Sequence, residues 1–471
     1  MELHELSALE LADALRRREV SPSEVVEHHL RRIDEHGARI GAFVTVSEGE
    51  ARAAAAQAER ALLEGRADAP LLGVPTAIKD LNLTAGVRTT FGSALGASFV
   101  PSVDDHVVTL LREAGLISLG KTNTPEFGLC CYTEPEVAPP ARCPYDLARS
   151  AGGSSGGAGA AVAARLVPLA QGSDGAGSVR IPASACGVVG LKPARGRVSN
   201  GPLGSDVGGL AVNGVLARTV ADAAAALDAM AVPMPGDPCW APPLPPGERF
   251  LDATRRETGR LRIGRFLEPV IAEAAVDPEC VRAYEVASSL LESLGHEVED
   301  CPRPLPSEVT ASFEVVWSVG AAAIPVPPGG DDLLRPITRW LRGRGRAVDA
   351  PSFVRAVAEL QLAARRAIVA TAAFDALLTP TLAQRPALVG ALRDDEDPAA
   401  DFEAQKRFTP FSAMANLTGQ PAISLPLHWS EDGLPIGVQL VGPSAGEARL
   451  LSLAAQLEAA APWHARAPEG F

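Results

Sequence analysis

Two glycine and serine clusters lie close together in the chain, SAGGSSGGAGA at 150–160 and QGSDGAGSVRIPA at 171–183. Glycine loses the most conformational freedom on folding, so this density implies a backbone shape that side chains would obstruct. A flexible linker, a phosphate cradle and a hydrolase site all fit that description. For hydrolysis, serine at its ordinary pKa is a weak nucleophile and needs a base. No Gly-x-Ser-x-Gly elbow supplies a serine to a histidine-based triad, which leaves His106, beside Asp104 and Asp105, without a nucleophile to serve. A lysine kept neutral by burial can be the base instead. Lys79 meets that need, because it ends the apolar approach Val-Pro-Thr-Ala-Ile within GVPTAIKDLNLTAG (73–86).

A competing motif is GLISLGKT at Gly115 to Thr122, which satisfies the P-loop template G-x-x-x-x-G-K-[ST] and would make the chain an NTPase. A phosphate cradle needs a strand before the loop and a helix after it. Here Leu-Ile-Ser-Leu between the glycines reads as the strand itself, and Thr-Asn-Thr-Pro after Lys121 is a poor helix start. No His-Glu-x-x-His and no compact His/carboxylate cluster is visible, and His28 and His29 on a charged helix read as solvated. The cysteines at 130, 131, 143, 186, 239, 280 and 301 contain no Cys-x-x-Cys and read as small buried hydrophobes. Neither a metal nor a cofactor is expected.

The elements that must position these residues alternate between helix and strand. Helical periodicity fills 5–65, with Ser21 as N-cap and Pro22 at the first helical position of SPSEVVEHHLRRIDEHG. GVPTAIKD gives a short strand or turn, HVVTLLREAGLISLGKTNTPEF a helix, a glycine stop, a buried strand and a loop. AGAAVAARLVPLAQG gives a small-residue helix and then a strand. LRIGRF and SLGHEVEDC read as strands around the helix VRAYEVASSLLESLG. FDALLTPTL is a further strand, NLTGQPAISLPLHWSEDGLPIGVQLVG a hairpin-like pair, and GEARLLSLAAQLEAAA a helix. The proline-rich stretches at 232–248 and 322–332 read as surface connections. This alternation is that of an α/β protein with a mixed sheet.

At 471 residues and 46% hydrophobic content, the chain can bury a large core, and length alone allows about three domains. A net charge of −14 without a basic stripe argues against a nucleic-acid partner. No apolar run approaches the ~20 residues of a membrane span. MELHELSALELADALRRREV reads as an amphipathic helix rather than a signal peptide, so a cytoplasmic protein is expected.

Taken in order, GVPTAIKDLNLTAG, GKTNTPEFG, AGGSSGGAGAAVAARLVPLAQGSDGAGSVRIPASACGVVGLKP and TGQPAISLPLHWSEDGLPIGVQLVG resemble the blocks of the amidase signature hydrolases, and the resemblance spans the N-terminal to the C-terminal helices. It implies an α/β amidase signature fold: one domain over 1–471, with a large central twisted mixed β-sheet of about ten or eleven strands covered by α-helices on both faces. N-terminal helices would occupy 1–70, the catalytic motifs 71–200, and a divergent cap about 300–360. It further implies a Ser–cis-Ser–Lys triad of Ser178 as nucleophile, Ser154 as bridge and Lys79 as base. Gly175, Ala176, Gly177 and Ser178 would form the oxyanion hole, and Asp174 and Arg180 would hold that loop. Ser155 is the confounder of Ser154, and Gly128 and Leu129 would sit near the acyl pocket.

One departure from the pattern stands out. Ala176 replaces a glycine of the usual Gly-Gly-Ser, which restricts its backbone and narrows the space above the oxyanion. The implied function is cleavage of a C–N bond in a small or aryl carboxamide, with anilides, esters and carbamates (a urethanase) alongside. The amide-hydrolysing subunit of a glutamine-dependent tRNA amidotransferase is the alternative. Expected partners are a small-molecule amide or carbamate and neither nucleic acid nor membrane; a homodimer is left open. The divergent region, with Trp317 and Trp340, would cover the entrance.

Overall fold

Serines start the N-terminal helices. Ser7 and Ser21 each accept the backbone N–H three residues on, while Glu10 and Glu24 reach back to the serine N–H, opening α1 (Ala8–Arg16) and α2 (Pro22–Ile40). In the computed structural model, which describes residues 2–66 and 68–471, these are followed by β1 (Phe43–Val46) and α3 (Glu48–Leu63). The expectation that His28 and His29 are both solvated does not hold. His29 falls on the buried stripe of Val26, Ile33 and Ile40 and brings Nδ1 to 3.0 Å from the Leu166 carbonyl oxygen, while half-buried His28 stacks on His4.

A small sheet follows, in the order β1, β3, β2. β2 (Pro75–Lys79) runs parallel to β3 (Ile117–Thr122), which is preceded by α4 (His106–Glu113), and β1 is antiparallel on the other side of β3. The stretch 115–122 is therefore not a phosphate loop: Gly115 turns the chain at φ +91°, and β3 begins at Ile117. Lys121 is buried in the strand, with Nζ donating to the Asn82 carbonyl and to Thr84 Oγ1.

After a ribbon of β4 (Arg142–Cys143) and β5 (Asp146–Ser150) come α5 (Gly156–Ala163), β6 (Leu169–Asp174), α6 (Arg180–Cys186), β7 (Val189–Lys192), β8 (Val212–Ala217) and α7 (Val220–Met230). The chain continues through the short α8 (Phe250–Ala253), β9 (Arg262–Arg265), α9 (Pro278–Ser293) and β10 (Glu297–Asp300). Then α10 (Val309–Ala323), α11 (Pro336–Arg346), α12 (Ala350–Ala370), β11 (Ala376–Pro380), α13 (Pro398–Phe408) and α14 (Ala413–Thr418) lead into the hairpin β12 (Ala422–Trp429) and β13 (Pro435–Val441), and α15 (Glu447–Ala460) closes it.

The large sheet has eight strands in the order β10, β9, β11, β13, β12, β7, β8, β6. The first three are mutually parallel and the rest are antiparallel to their neighbours. One apolar core joins it to α7, α9 and α15, and another joins it to α2, α3, α5 and α6. The expected ten or eleven strands are thus divided between two sheets. Where β2 meets the edge strand β6, the backbone ladder is replaced by side-chain bonds: Thr76 Oγ1 donates to the Leu169 carbonyl at 3.2 Å, and the Lys79 N–H donates to Gln171 Oε1 at 2.9 Å. This seam places the end of β2 against the end of β6. No helix among the described residues is long and apolar enough to cross a membrane.

Candidate active site

Lys79 is the last residue of fully buried β2. Its Nζ lies 2.7 Å from Ser154 Oγ, 3.0 Å from Ser173 Oγ and 3.1 Å from the Ser173 carbonyl oxygen. Burial without a paired carboxylate pushes the lysine down to about 7, although Asp174 pulls in the opposite direction. The Gly153–Ser154 peptide is cis. Ser155 does different work: its N–H donates to the Ser178 carbonyl at 3.0 Å, and its hydroxyl bridges the Ser173 carbonyl and N–H. It therefore ties the two glycine and serine loops together, while Ser154 meets the lysine.

The loop after β6 is held by a buried ion pair. Arg180 Nε and Nη2 donate to the two carboxylate oxygens of Asp174 at 2.9 and 2.8 Å, and further bonds reach the Ser412 carbonyl and Asn416 Oδ1. Burial alone would raise the Asp174 carboxyl, but Arg180 outweighs it and holds the group well below the usual carboxylate range. The same carboxylate accepts the N–H groups of Gly177 at 2.7 Å and Val179 at 3.1 Å. The Gly177 amide, expected among the oxyanion donors, is instead turned to Asp174. Gly177 has φ +127°, and a Cβ there would collide with Ser412 Oγ. Ala176 avoids the left-handed region, its carbonyl accepts from Ser412 Oγ at 2.6 Å, and its methyl lines a cavity.

Two cavities meet at Ser178. A wide one of about 510 Å³ reaches Ser154, Ser178 and Ser173 past Val316 and Trp317 of α10. A narrow one of about 50 Å³ is walled by Cys130, Cys131, Phe313 and Phe402. Gly128, Leu129 and Trp317 line both. Gly128 has φ +69°, and a Cβ there would stand 2.7 Å from Leu81 and 3.2 Å from Ser154 Oγ, so only glycine leaves the bridging hydroxyl its space. Trp340 does not line either cavity; it stands behind and packs on Phe402 with ring centroids 5.7 Å apart. The cation at the narrow end, Lys406, is paired with Glu314 and Glu403.

Sequence reasoning missed Ser173 as a partner of Lys79, and it missed Ser412 and Asn416 as supports of the 174–178 loop. Ser173 lies inside the second cluster and could have been found there. Asn416 donates to the Asp174 backbone carbonyl at 2.8 Å across 242 positions, a pairing with no local signal.

A buried lysine bonded to Ser154 and a second serine, Ser178, on a glycine-rich loop thus meet at one cavity. The profile described as Amidase matches residues 24–451, and the chain belongs to the amidase signature family. It is 38% identical to the 6-aminohexanoate-cyclic-dimer hydrolase of Paenarthrobacter ureafaciens, over 97% of this chain and 95% of that protein. Among solved structures, 6-aminohexanoate cyclic dimer hydrolase complexed with substrate superposes with a TM-score of 0.91 at 35% identity, covering 100% of this chain and 99% of the other. A bacterial aryl acylamidase of the same family superposes with a TM-score of 0.86 at 25% identity, covering 98% and 97%.

Proposed function

We propose that the protein hydrolyses the C–N bond of a small or aryl carboxamide through an acyl-enzyme on Ser178, with a carbamate of similar shape as the next substrate. The observation that carries this reading is the buried lysine at Ser154. The Ser173 carbonyl can only accept, so a neutral Lys79 amine gives its two N–H groups to Ser173 and keeps its lone pair for the Ser154 hydroxyl. Ser154 passes its proton to Lys79 and takes the proton of Ser178 as the Ser178 oxygen bonds to the carbonyl carbon. The carbonyl electron pair moves to oxygen, where the amides of Gly175, Ala176 and Ser178 receive it. Collapse breaks the C–N bond, the relay returns the proton to the leaving nitrogen, and water repeats the sequence on the acyl-enzyme.

The apolar walls support an uncharged, partly apolar acyl group lying along Leu129 and Trp317. The cyclic amide named for the 6-aminohexanoate hydrolases belongs in the same test panel. A shared acyl-enzyme is tested by partitioning: an amide and an ester of one acid, hydrolysed in hydroxylamine, give the same ratio of hydroxamate to free acid. Different ratios would contradict the shared intermediate, and turnover of glutamine only with an added partner subunit would favour the amidotransferase reading.

A further inference from the structure

Residues that the hydrolytic site does not use converge where the N-terminal 3-10 turn Leu3–Glu5 lies on α2. The rings of His4 and His28 are 8° from parallel with centroids 5.2 Å apart, and His4 Nδ1 stands 3.0 Å from His28 Nε2. A Glu2 carboxylate oxygen joins them, so that the three ligand atoms all lie within 4.8 Å of one another. We propose that Glu2, His4 and His28 bind one borderline divalent cation, zinc or a neighbouring transition metal, which clamps the N-terminal turn to α2.

The donor set points to that class. Two imidazole nitrogens and one carboxylate suit zinc, nickel and copper, whereas magnesium and calcium take oxygen ligands. Zinc-to-nitrogen bonds of about 2.0–2.1 Å at tetrahedral angles set two ligating nitrogens about 3.4 Å apart, so the rings, now hydrogen-bonded nitrogen to nitrogen at 3.0 Å, must part by a few tenths of an ångström and tilt until both lone pairs meet at the metal. An imidazole must be neutral to coordinate. Arg32 and Arg165 oppose an incoming cation, while Glu5 beside His4 and Glu35 beside His28 favour it. Three protein ligands leave the fourth position to water, and none of the three lines either cavity at Ser178.

The test is calorimetric titration of untagged, chelator-stripped protein with zinc sulfate, in parallel with copper(II) loading followed by electron paramagnetic resonance. One zinc per chain is expected, with a two-nitrogen copper signal, a zinc-dependent rise in melting temperature and no response to magnesium. His4→Ala and His28→Ala each weaken binding by at least about tenfold, since even outer-shell changes cost that much. Glu2→Gln, at an exposed position, weakens it without loss of fold, and amide hydrolysis is the same with and without chelator. The absence of a one-per-chain site, or zinc binding that survives in both histidine variants, would overturn the proposal, as would magnesium competing equally.

Discussion

Lys79 Nζ and Ser154 Oγ are 2.7 Å apart at the end of a fully buried strand, with no carboxylate in contact with the amine. The lysine, lowered to about 7 by burial, is mostly protonated below that pH and then cannot accept from Ser154. We predict that kcat/KM rises tenfold per pH unit on the acid side and levels above about 7. A pH–rate profile checks this, and an optimum below pH 6 would contradict it. Lys79→Ala lowers kcat/KM by about 10²–10⁴ and abolishes that limb.

The adjacent serines separate by function. Ser154→Ala removes the group between lysine and nucleophile and lowers kcat by about 10²–10⁴ with little change in the urea midpoint. Ser155→Ala breaks the tie to Ser173 and costs stability of about 1 kcal/mol, with the smaller loss of kcat. Denaturation and steady-state kinetics on the two variants decide the order.

Asp174→Asn leaves the Arg180 guanidinium buried without its counter-charge and frees the Gly177 amide from its carboxylate. The expected loss is about 3–5 kcal/mol of stability, read from urea unfolding, accompanied by loss of activity.

Ala176 tests the oxyanion loop. Its methyl faces the narrow cavity, so Ala176→Gly enlarges that space and shifts preference toward bulkier substrates while the acid limb of the pH profile stays in place. Gly177→Ala, at φ +127° and against Ser412, abolishes activity. A kcat/KM series over substrates of graded size checks the first, and residual turnover checks the second.

How far the sequence revealed this site depended on whether each contact was local. The burial of Lys79 was readable because the five residues before it, Val74 to Ile78, are uncharged, and the two loops were readable because their glycines answer to local backbone shape. The direction of the Gly177 amide was not, since it is set by how Asp174 turns under Arg180. Nor was the division into two sheets: the hydrogen bonds at the seam come from Thr76 and Gln171, whose alternation looks like that of any strand. Ser412 and Asn416 lie on chain more than 200 residues away, and only the packing of α14 brings them beneath the loop.

The central claim, that Ser178 is the activated nucleophile, is tested most directly by intact-mass spectrometry after exposure to a fluorophosphonate. The account predicts one adduct per chain on the wild-type protein, with none on Ser178→Ala and much slower labelling of Lys79→Ala. An adduct that persists in Ser178→Ala, or a wild-type protein that turns over amides yet takes no label, would contradict it.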